Sequence, residues 1–261
     1  MTSPGEALPT HAYGARGYPR FMPLGDTALT VEFGDAIDPA INAEVIALEI
    51  ALAAAEIPGI VETAPSYRSL LVCYEPAEIS FGALIEQLRR LLGQALRPYA
   101  PPARQWFVPV RYGGVGDTDL EWVAERLGRS PAELIAIHSG AEYTVYFMGF
   151  APGLPNLGGL PSALHLPRRR QPRPSIPAGA VVIAGGQAAV HSIARPSGWH
   201  ILGHAPIRLF DPSQEDPFLF RPGDLVSFYP IDAREFDRLA ARRDRGEPVI
   251  LPEPTLPGQE I

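Results

Sequence analysis

The sequence predicts a two-domain α+β protein, in which an α+β sandwich of ββαββα order precedes a closed β-barrel. In the first hundred residues, the period-two alternation typical of strands gives way twice to helical spacing of apolar residues. A proline-rich stretch at 97–102 has the composition of a linker, and the second half contains many short apolar runs separated by Gly and Pro. We therefore divide the chain into a disordered N-terminal extension at 1–18, domains at 19–100 and 101–246, and a proline-rich tail at 247–261.

The first domain is predicted from two successive β-β-α patterns. Residues 19–34 indicate two strands around a turn, and Asp38-Pro39 is the N-cap and first residue of a helix with one apolar stripe. Residues 60–63 and 69–74 indicate two further strands, and Ser80 caps a second amphipathic helix. Two helices on one face of a mainly antiparallel sheet follow from this order.

The second domain combines short strands with three helices. A short helix is predicted around 120–127, a second begins at the capping box Ser130–Glu133, and a charged helix covers 234–243. The predicted strands are 106–111, 144–150, 180–184, 188–193, 200–202, 207–210 and 225–230. So many short strands with Gly and Pro between them favour a closed barrel.

The composition excludes several kinds of function. All 22 basic residues are Arg, so the chain has no lysine for a Walker-type P-loop, for a Schiff base or for covalent attachment of biotin. The formal net charge of −7 and the pI near 5.4 argue against a general nucleic-acid or membrane binder. No apolar run approaches the length of a membrane helix, and we expect a cytoplasmic protein.

The stretch from Tyr143 to Trp199 contains most candidate site residues because Gly and Pro fix its backbone between apolar runs. Gly185-Gly186-Gln187 ends an apolar run: the glycines allow a ligand to approach closely, and Gln187 offers a donor and an acceptor. Phe150-Ala151-Pro152-Gly153 leaves another strand through a forced turn, with Phe150 as a candidate pocket wall. A glycine bulge and a purely structural turn are the competing interpretations.

Arginines and one tryptophan provide further candidates in the same stretch. Arg168, Arg169, Arg170 and Arg173 can hold a carboxylate or phosphate, and the prolines around them lower the entropy cost of fixing them. A solvated basic loop is the alternative. Trp199 is either a pocket wall or a core residue.

Histidine and cysteine give little sign of a metal site. The six histidines show no HExxH or related spacing, and the single cysteine, Cys73, lies in an apolar run, so we predict no metal centre. His138 stands in the last turn of a predicted helix. Its two interpretations are a cation stabilised by the helix dipole and a general base.

Taken together, these stretches resemble the carboxyltransferase C/D family, also called the allophanate hydrolase subunit 1 family, over residues 18–232. Most of the chain therefore takes part in the resemblance. The residues that carry it are Leu24–Asp26, Val31–Gly34, Pro58–Ile60, Pro65–Leu70, His138–Gly140, Gly149-Phe150, Pro152-Gly153, Leu157–Leu160, Pro167–Arg169, Pro177–Gly179, Ile183–Gln187, Gly198-Trp199 and Arg221–Asp224. Three positions depart from the family pattern, namely Leu154, Asn156 and His191, and they bear on the shape of the pocket.

The resemblance implies a cyclophilin-like barrel as the second domain and a cytoplasmic enzyme that needs other subunits. The favoured interpretation is the B component of an ATP-dependent 5-oxoprolinase, inactive alone, which activates the lactam for opening to glutamate. Its partners would be a sibling subunit (the C component of 5-oxoprolinase or allophanate hydrolase subunit 2) and a third oxoprolinase subunit. ATP, with Mg²⁺ held mainly at a shared site, is the implied cofactor.

The candidate site that combines the residue patterns with the resemblance lies at the mouth of the barrel. We assign catalytic roles to His138, Arg168 and Gln187. Cofactor contacts are assigned to Phe150, Pro152, Gly153, Arg168, Arg169, Gly185, Gly186, Gln187 and Trp199. Two other functions of the family stay open: a carboxyltransferase subunit of urea or allophanate metabolism, which would need a separate biotin carrier, and a non-enzymatic inhibitor of a histidine kinase.

Overall fold

A computed structural model describes residues 17–93, 104–114 and 118–254, and it divides the chain into compact units of residues 1–99 and 100–261. The proposed linker at 97–102, nearly all of the proposed N-terminal extension and the end of the proposed tail lie outside the described residues. Within the described ranges, no helix is both long enough and apolar enough to cross a membrane.

The first unit has the predicted ββαββα order. Its elements are β1 (Arg20–Pro23), β2 (Ala28–Glu32), α1 (Pro39–Ala55), β3 (Ile60–Pro65), β4 (Ser69–Tyr74) and α2 (Phe81–Gly93). The strands form one antiparallel sheet in the order β1-β2-β4-β3. Alternate residues of the two central strands, such as Leu29 and Leu70, are fully buried and join the apolar stripes of both helices in one core.

The start of α1 follows the sequence signal closely. The Asp38 side chain accepts a hydrogen bond from the backbone N–H of Ala40 at 2.8 Å, and Pro39 occupies the first helical position. Such a cap satisfies donors that the helix itself leaves free, and the proline has no N–H to satisfy.

The second unit contains the remaining elements. These are β5 (Arg104–Tyr112), α3 (Leu120–Arg126), α4 (Pro131–Ser139), β6 (Glu142–Met148), β7 (Pro155–Gly158), a 3₁₀ helix (Ser162–Leu164), β8 (Arg173–Ile176), β9 (Ala180–Ala184), β10 (Gln187–Val190), β11 (Arg195–Ser197), β12 (His200–His204), β13 (Leu225–Pro230), α5 (Ala233–Asp244) and β14 (Glu253–Pro254). The predicted capping box of α4 is present, since the Ser130 side chain and the Glu133 carboxylate each accept from the other's backbone N–H.

Seven of these strands close into a barrel, which confirms the predicted α+β class. They follow the order β12-β9-β10-β7-β6-β13-β5, and pairing of β12 with β5 at Gly203 and Tyr112 completes the ring. The β13–β5 pair is parallel and the other pairs are antiparallel. Closure leaves these strands without a free edge.

The wall formed by β9 is buried on both faces. Val181 and Ile183 belong to a large core to which all seven barrel strands contribute, so this core is the barrel interior. Ala180 and Val182 point the other way and belong to a smaller cluster outside the barrel. The two-stranded antiparallel sheet of β8 and β11 contributes to this outer side, where Ile176 pairs with Arg195.

Several predictions for the second half were wrong. Residues 207–210 form no strand, and only Phe210 makes an isolated bridge, to Phe218. Conversely, β7, β8 and β11 lie in segments that we assigned to loops. Each of them contains a proline, which cannot donate to a ladder and is therefore restricted to strand starts and edges. Proline removed the alternating pattern without preventing the strands.

Candidate functional site

An apolar patch on the outside of the barrel borders two of the predicted segments, the Phe150–Gly153 turn and Trp199. We call it the outer patch, and it consists of Leu154, Ile176, Ala180, Val182, Ala189 and Ile201. Ala151 and Trp199 pack against it while remaining partly exposed. Trp199 is therefore neither a core residue nor free on the surface, but a partly exposed side chain that packs against the buried outer patch.

The turn at Phe150–Gly153 is held in an unusual backbone conformation. Phe150 has a φ of 71°, and the residue is 88% exposed. Gly153 has a φ of 69°, and a Cβ there would approach Leu209 O to 2.8 Å. A left-handed conformation costs a non-glycine residue on the order of 1–2 kcal/mol, and such strain is concentrated at functional sites. Phe150 does not wall a pocket within this chain, because almost all of its surface faces outward.

Buried Asp119 organises the arginine loop. Its Oδ1 accepts from Arg169 Nη1 at 2.5 Å and from Arg173 Nη2 at 2.8 Å, and its Oδ2 accepts from the backbone N–H of Ile201 at 2.9 Å. Only 5% of Asp119 is exposed. Two of the predicted anion-binding arginines are therefore occupied by a carboxylate of the same chain.

Arg168 is left exposed by this arrangement, although the backbone on both sides of it is fixed. Pro167 O bonds to His200 Nε2 at 2.9 Å, and the Arg169 N–H donates to Gly198 O at 2.7 Å. The Arg168 guanidinium carbon lies 5.7 Å from the centre of the Trp199 ring, a cation–π distance. The backbone of Arg168 is thus held in place, while its side chain is directed into solvent beside the outer patch.

The same segment touches the glycine turn between β9 and β10. The Gly185 N–H donates to Leu166 O at 2.7 Å, and a Cβ on Gly186 would come within 2.9 Å of the His165 ring. Gly185 has a φ of 60°, so the turn uses the freedom of glycine. Gln187, half-buried, then begins β10 opposite Ala184. Residues 165–169 connect the glycine turn at one end with Gly198-Trp199 at the other.

His138 lies elsewhere, inside the barrel. It is fully buried, hydrogen-bonds through Nδ1 to the Tyr112 hydroxyl at 2.7 Å, and packs against the rings of Tyr143 and Phe228. Burial lowers its pKa from 6.5 to about 3. The expectation of a cation at the end of α4 is therefore wrong, and nothing in this position supports the predicted catalytic role.

The neutral state of His138 makes stability depend on pH. Between pH 6.5 and about 3 the unfolded chain binds a proton at this residue and the folded chain does not. The free energy of unfolding should therefore fall as the pH falls through this window, by up to about 1.4 kcal/mol per pH unit from this residue. Urea unfolding of the wild type and of His138→Phe at several pH values from 7 to 4.5 measures the effect.

A smaller pH dependence is expected for His138→Phe, whatever its absolute stability. Some pH dependence of stability should remain in this variant because of His191. Burial and the charge of Arg195 lower the pKa of His191 to about 4. The exposed residue His165 provides the control substitution His165→Gln, which should keep the wild-type dependence. Equal pH dependence of the wild type and His138→Phe would contradict the assignment.

A cleft of about 370 Å³ in the second unit lies apart from these residues. It is lined by the start of β5, the 207–219 loop and residues 246–252, and none of the predicted site residues lines it. Its lining charges are internally paired, since Arg104 binds Asp224 at 2.6 Å and Arg208 binds Asp211 at 3.0 Å. This pairing gives the cleft no free charge with which to attract an ionic ligand.

The residues that sequence reasoning missed are polar, and one is buried and the other partly buried. Asp119 directly precedes α3, yet it makes no side-chain cap and instead reaches the arginines. Arg195 lies on the unpredicted strand β11, with its guanidinium carbon 4.0 Å from the centre of the Phe150 ring. Neither residue lies in a motif, and their roles depend on contacts between segments far apart in sequence.

Comparison with known proteins identifies relatives along most of the chain. The family model described as carboxyltransferase domain, subdomain C and D, matches residues 19–220. The B component of 5-oxoprolinase from Bacillus subtilis is 38% identical over 223 residues, which cover 82% of this chain and 93% of that protein. The protein of the same name in Escherichia coli O157:H7 is 39% identical over 207 residues, covering 79% and 94%.

A similar fold occurs in a solved structure of a longer protein. The crystal structure of TTHA0988 superposes with a TM-score of 0.70 at 37% identity, and the match covers 79% of this chain. The chain spans only 40% of the length of TTHA0988.

Proposed function

Because this chain belongs to the family of the carboxyltransferase domain, subdomain C and D, we propose that it is the B component of an ATP-dependent 5-oxoprolinase. In this proposal it works with a sibling subunit and a third subunit to open the lactam ring of 5-oxoproline to glutamate, and it is inactive alone. The observation that carries the proposal is identity of 38% and 39% to the B components of two bacterial 5-oxoprolinases, over 93% and 94% of their lengths.

The open geometry of the site supports a need for partners. Phe150 is held at an unfavourable φ and is 88% exposed, and Arg168 reaches outward beside the partly covered Trp199. Exposed aromatic and arginine side chains are typical of residues that become buried on binding. We propose that the sibling subunit covers these exposed side chains and forms the other wall of the site. More than half of TTHA0988 lies outside the match, which leaves room in that single chain for a fused second component.

The chemistry explains why a nucleotide is proposed. A lactam carbonyl resists direct attack by water, and ATP with Mg²⁺, held at the shared site, would supply the phosphoryl group that activates it. Fixed donors aimed at a developing negative charge stabilise a transition state strongly. Arg168 fits this task because its backbone is anchored on both sides and, within the described ranges, no carboxylate pairs with it. The Gly185–Gln187 turn stays a candidate contact.

The proposal is tested by ADP release from the reconstituted subunits. The chain is mixed with its sibling and third subunits, and ADP is measured with and without 5-oxoproline while each subunit is omitted in turn. We expect 5-oxoproline-dependent release only in the complete mixture. Transfer of the carboxyl group from a carboxylated biotin carrier to urea would favour the carboxyltransferase alternative. Tight binding to a histidine kinase without turnover in any mixture would favour an inhibitor.

A further inference from the structure

Arg195 is a partly buried cation without a counter-charge. It lies on β11 opposite Ile176, with its guanidinium against the Phe150 ring. Among the described residues no carboxylate forms an ion pair with it, and its buried Nε has no hydrogen-bond acceptor. Burial lowers its pKa, as expected for a cation withdrawn from water and left uncompensated.

Two polar side chains nearby in the sequence also have a buried atom without a hydrogen-bond partner. His191 is 1% exposed, and its Nδ1 has no partner within the described ranges; nor has the buried Oγ of Ser192. Burial, and to a smaller extent the charge of Arg195, lowers the pKa of His191. The backbone of His191 is fixed at the same time, since its C=O accepts from the Gly179 N–H at 2.7 Å.

The cluster of unpaired groups is costly for folding alone. A buried polar group without a partner costs roughly 1–3 kcal/mol, and native proteins contain few of them. Here three fall within five consecutive residues. Elsewhere in the same unit, the partly buried Arg104, Arg169 and Arg173 bind carboxylates, whereas the partly buried Arg111 and Arg129 form no ion pair among the described residues. A carboxylate supplied by a ligand would satisfy Arg195 in the way that Asp224 satisfies Arg104 and Asp119 satisfies Arg169.

We propose that Arg195 binds the carboxylate of a small-molecule substrate beside Phe150. The inference rests on the proposed function, in which that substrate is 5-oxoproline and its carboxylate is the part that does not react. A guanidinium recognises a carboxylate through paired, charge-assisted hydrogen bonds. The Phe150 ring shields one side of the guanidinium from water, which strengthens those hydrogen bonds. The strained φ of Phe150 would be explained by this placement of its ring.

Binding measured without ATP tests the site separately from turnover. Isothermal titration compares 5-oxoproline with its primary amide, which lacks the negative charge, on the chain assembled with its sibling subunit. The wild type should prefer the carboxylate. Arg195→Ala should bind 5-oxoproline roughly 10- to 100-fold more weakly and leave the amide nearly unaffected. Arg195→Lys should fall between them, and Arg234→Ala, which removes an exposed arginine of α5, should match the wild type.

The outcomes separate this inference from the proposed function. The carboxylate site would be overturned if Arg195→Ala weakened the binding of 5-oxoproline and of its amide equally, or weakened the binding of neither. This holds even if the complete enzyme turns over 5-oxoproline. A wild type without preference for the carboxylate would also overturn the site. If the preference depends on Arg195 but no turnover occurs, the site stands and the proposed function fails. Equal thermal unfolding of both alanine variants guards against a loss caused by misfolding.

Discussion

Asp119→Ala should lower the free energy of unfolding by about 3–5 kcal/mol. The Asp119 side chain is 6% exposed and forms ion pairs with Arg169 and Arg173, whose side chains are 30% and 25% exposed. Removing one partner of a buried pair leaves the other charges in a poorly solvated position, and here two cations lose their counter-charge at once. The Ile201 N–H also loses its bond to the carboxylate. Urea unfolding at pH 7 measures the change.

A surface pair provides the matched control for this prediction. Asp216 pairs with Arg221, and their side chains are 50% and 61% exposed, so Asp216→Ala should change stability little. The assembled enzyme should lose activity with Asp119→Ala as well, because the loop that carries Arg168 is no longer held. Unfolding energies of Asp119→Ala and the wild type that agree within about 1 kcal/mol would show that this network does not organise the loop.

Arg168→Ala should leave folding intact and reduce turnover by the assembled enzyme roughly 100-fold or more, the effect of removing one donor aimed at developing charge. The guanidinium is exposed, and within the described ranges its one recorded contact is a cation–π interaction with the Trp199 ring, so its loss removes little from the folded state. Steady-state ADP release with saturating 5-oxoproline, together with thermal unfolding, measures both effects.

Neighbouring Arg169 should behave in the opposite way. From the sequence, both arginines belong to one group of candidate ligands for a carboxylate or phosphate. The ion pair of Arg169 with Asp119 now predicts a clear loss of stability for Arg169→Ala. Arg126→Ala, at an exposed position of α3, controls for the loss of a charge. Normal turnover by Arg168→Ala would remove this residue from the site.

The overall architecture could be predicted from local signals. The first sheet follows from alternation, as in the fully buried Leu70 and Val72 of β4, and α1 and α4 begin at clear caps. The strands β7, β8 and β11 could not be found in this way, because proline interrupts their pattern. His138 did carry a signal: it follows the buried Leu134 by four residues and thus shares its helix face.

The composition of the site could be predicted only in part. Glycine, proline and arginine placed it in the Tyr143–Trp199 stretch, and the structure does bring Arg168, Trp199 and the Gly185 turn together along one segment. Which arginine is free and which is paired depends on Asp119, which lies 50 residues before Arg169. Such long-range pairing leaves no periodic or local trace in a single sequence.

Glutamate formation from isotopically labelled 5-oxoproline is the most direct measure of the proposed activity. The chain, its sibling and the third subunit are incubated with ATP, and glutamate and ADP are quantified together. We expect the two products in equal amounts, and neither above background when this chain is omitted. Three folded subunits that form no glutamate, or that form it equally well without this chain, would contradict its assignment as a 5-oxoprolinase component.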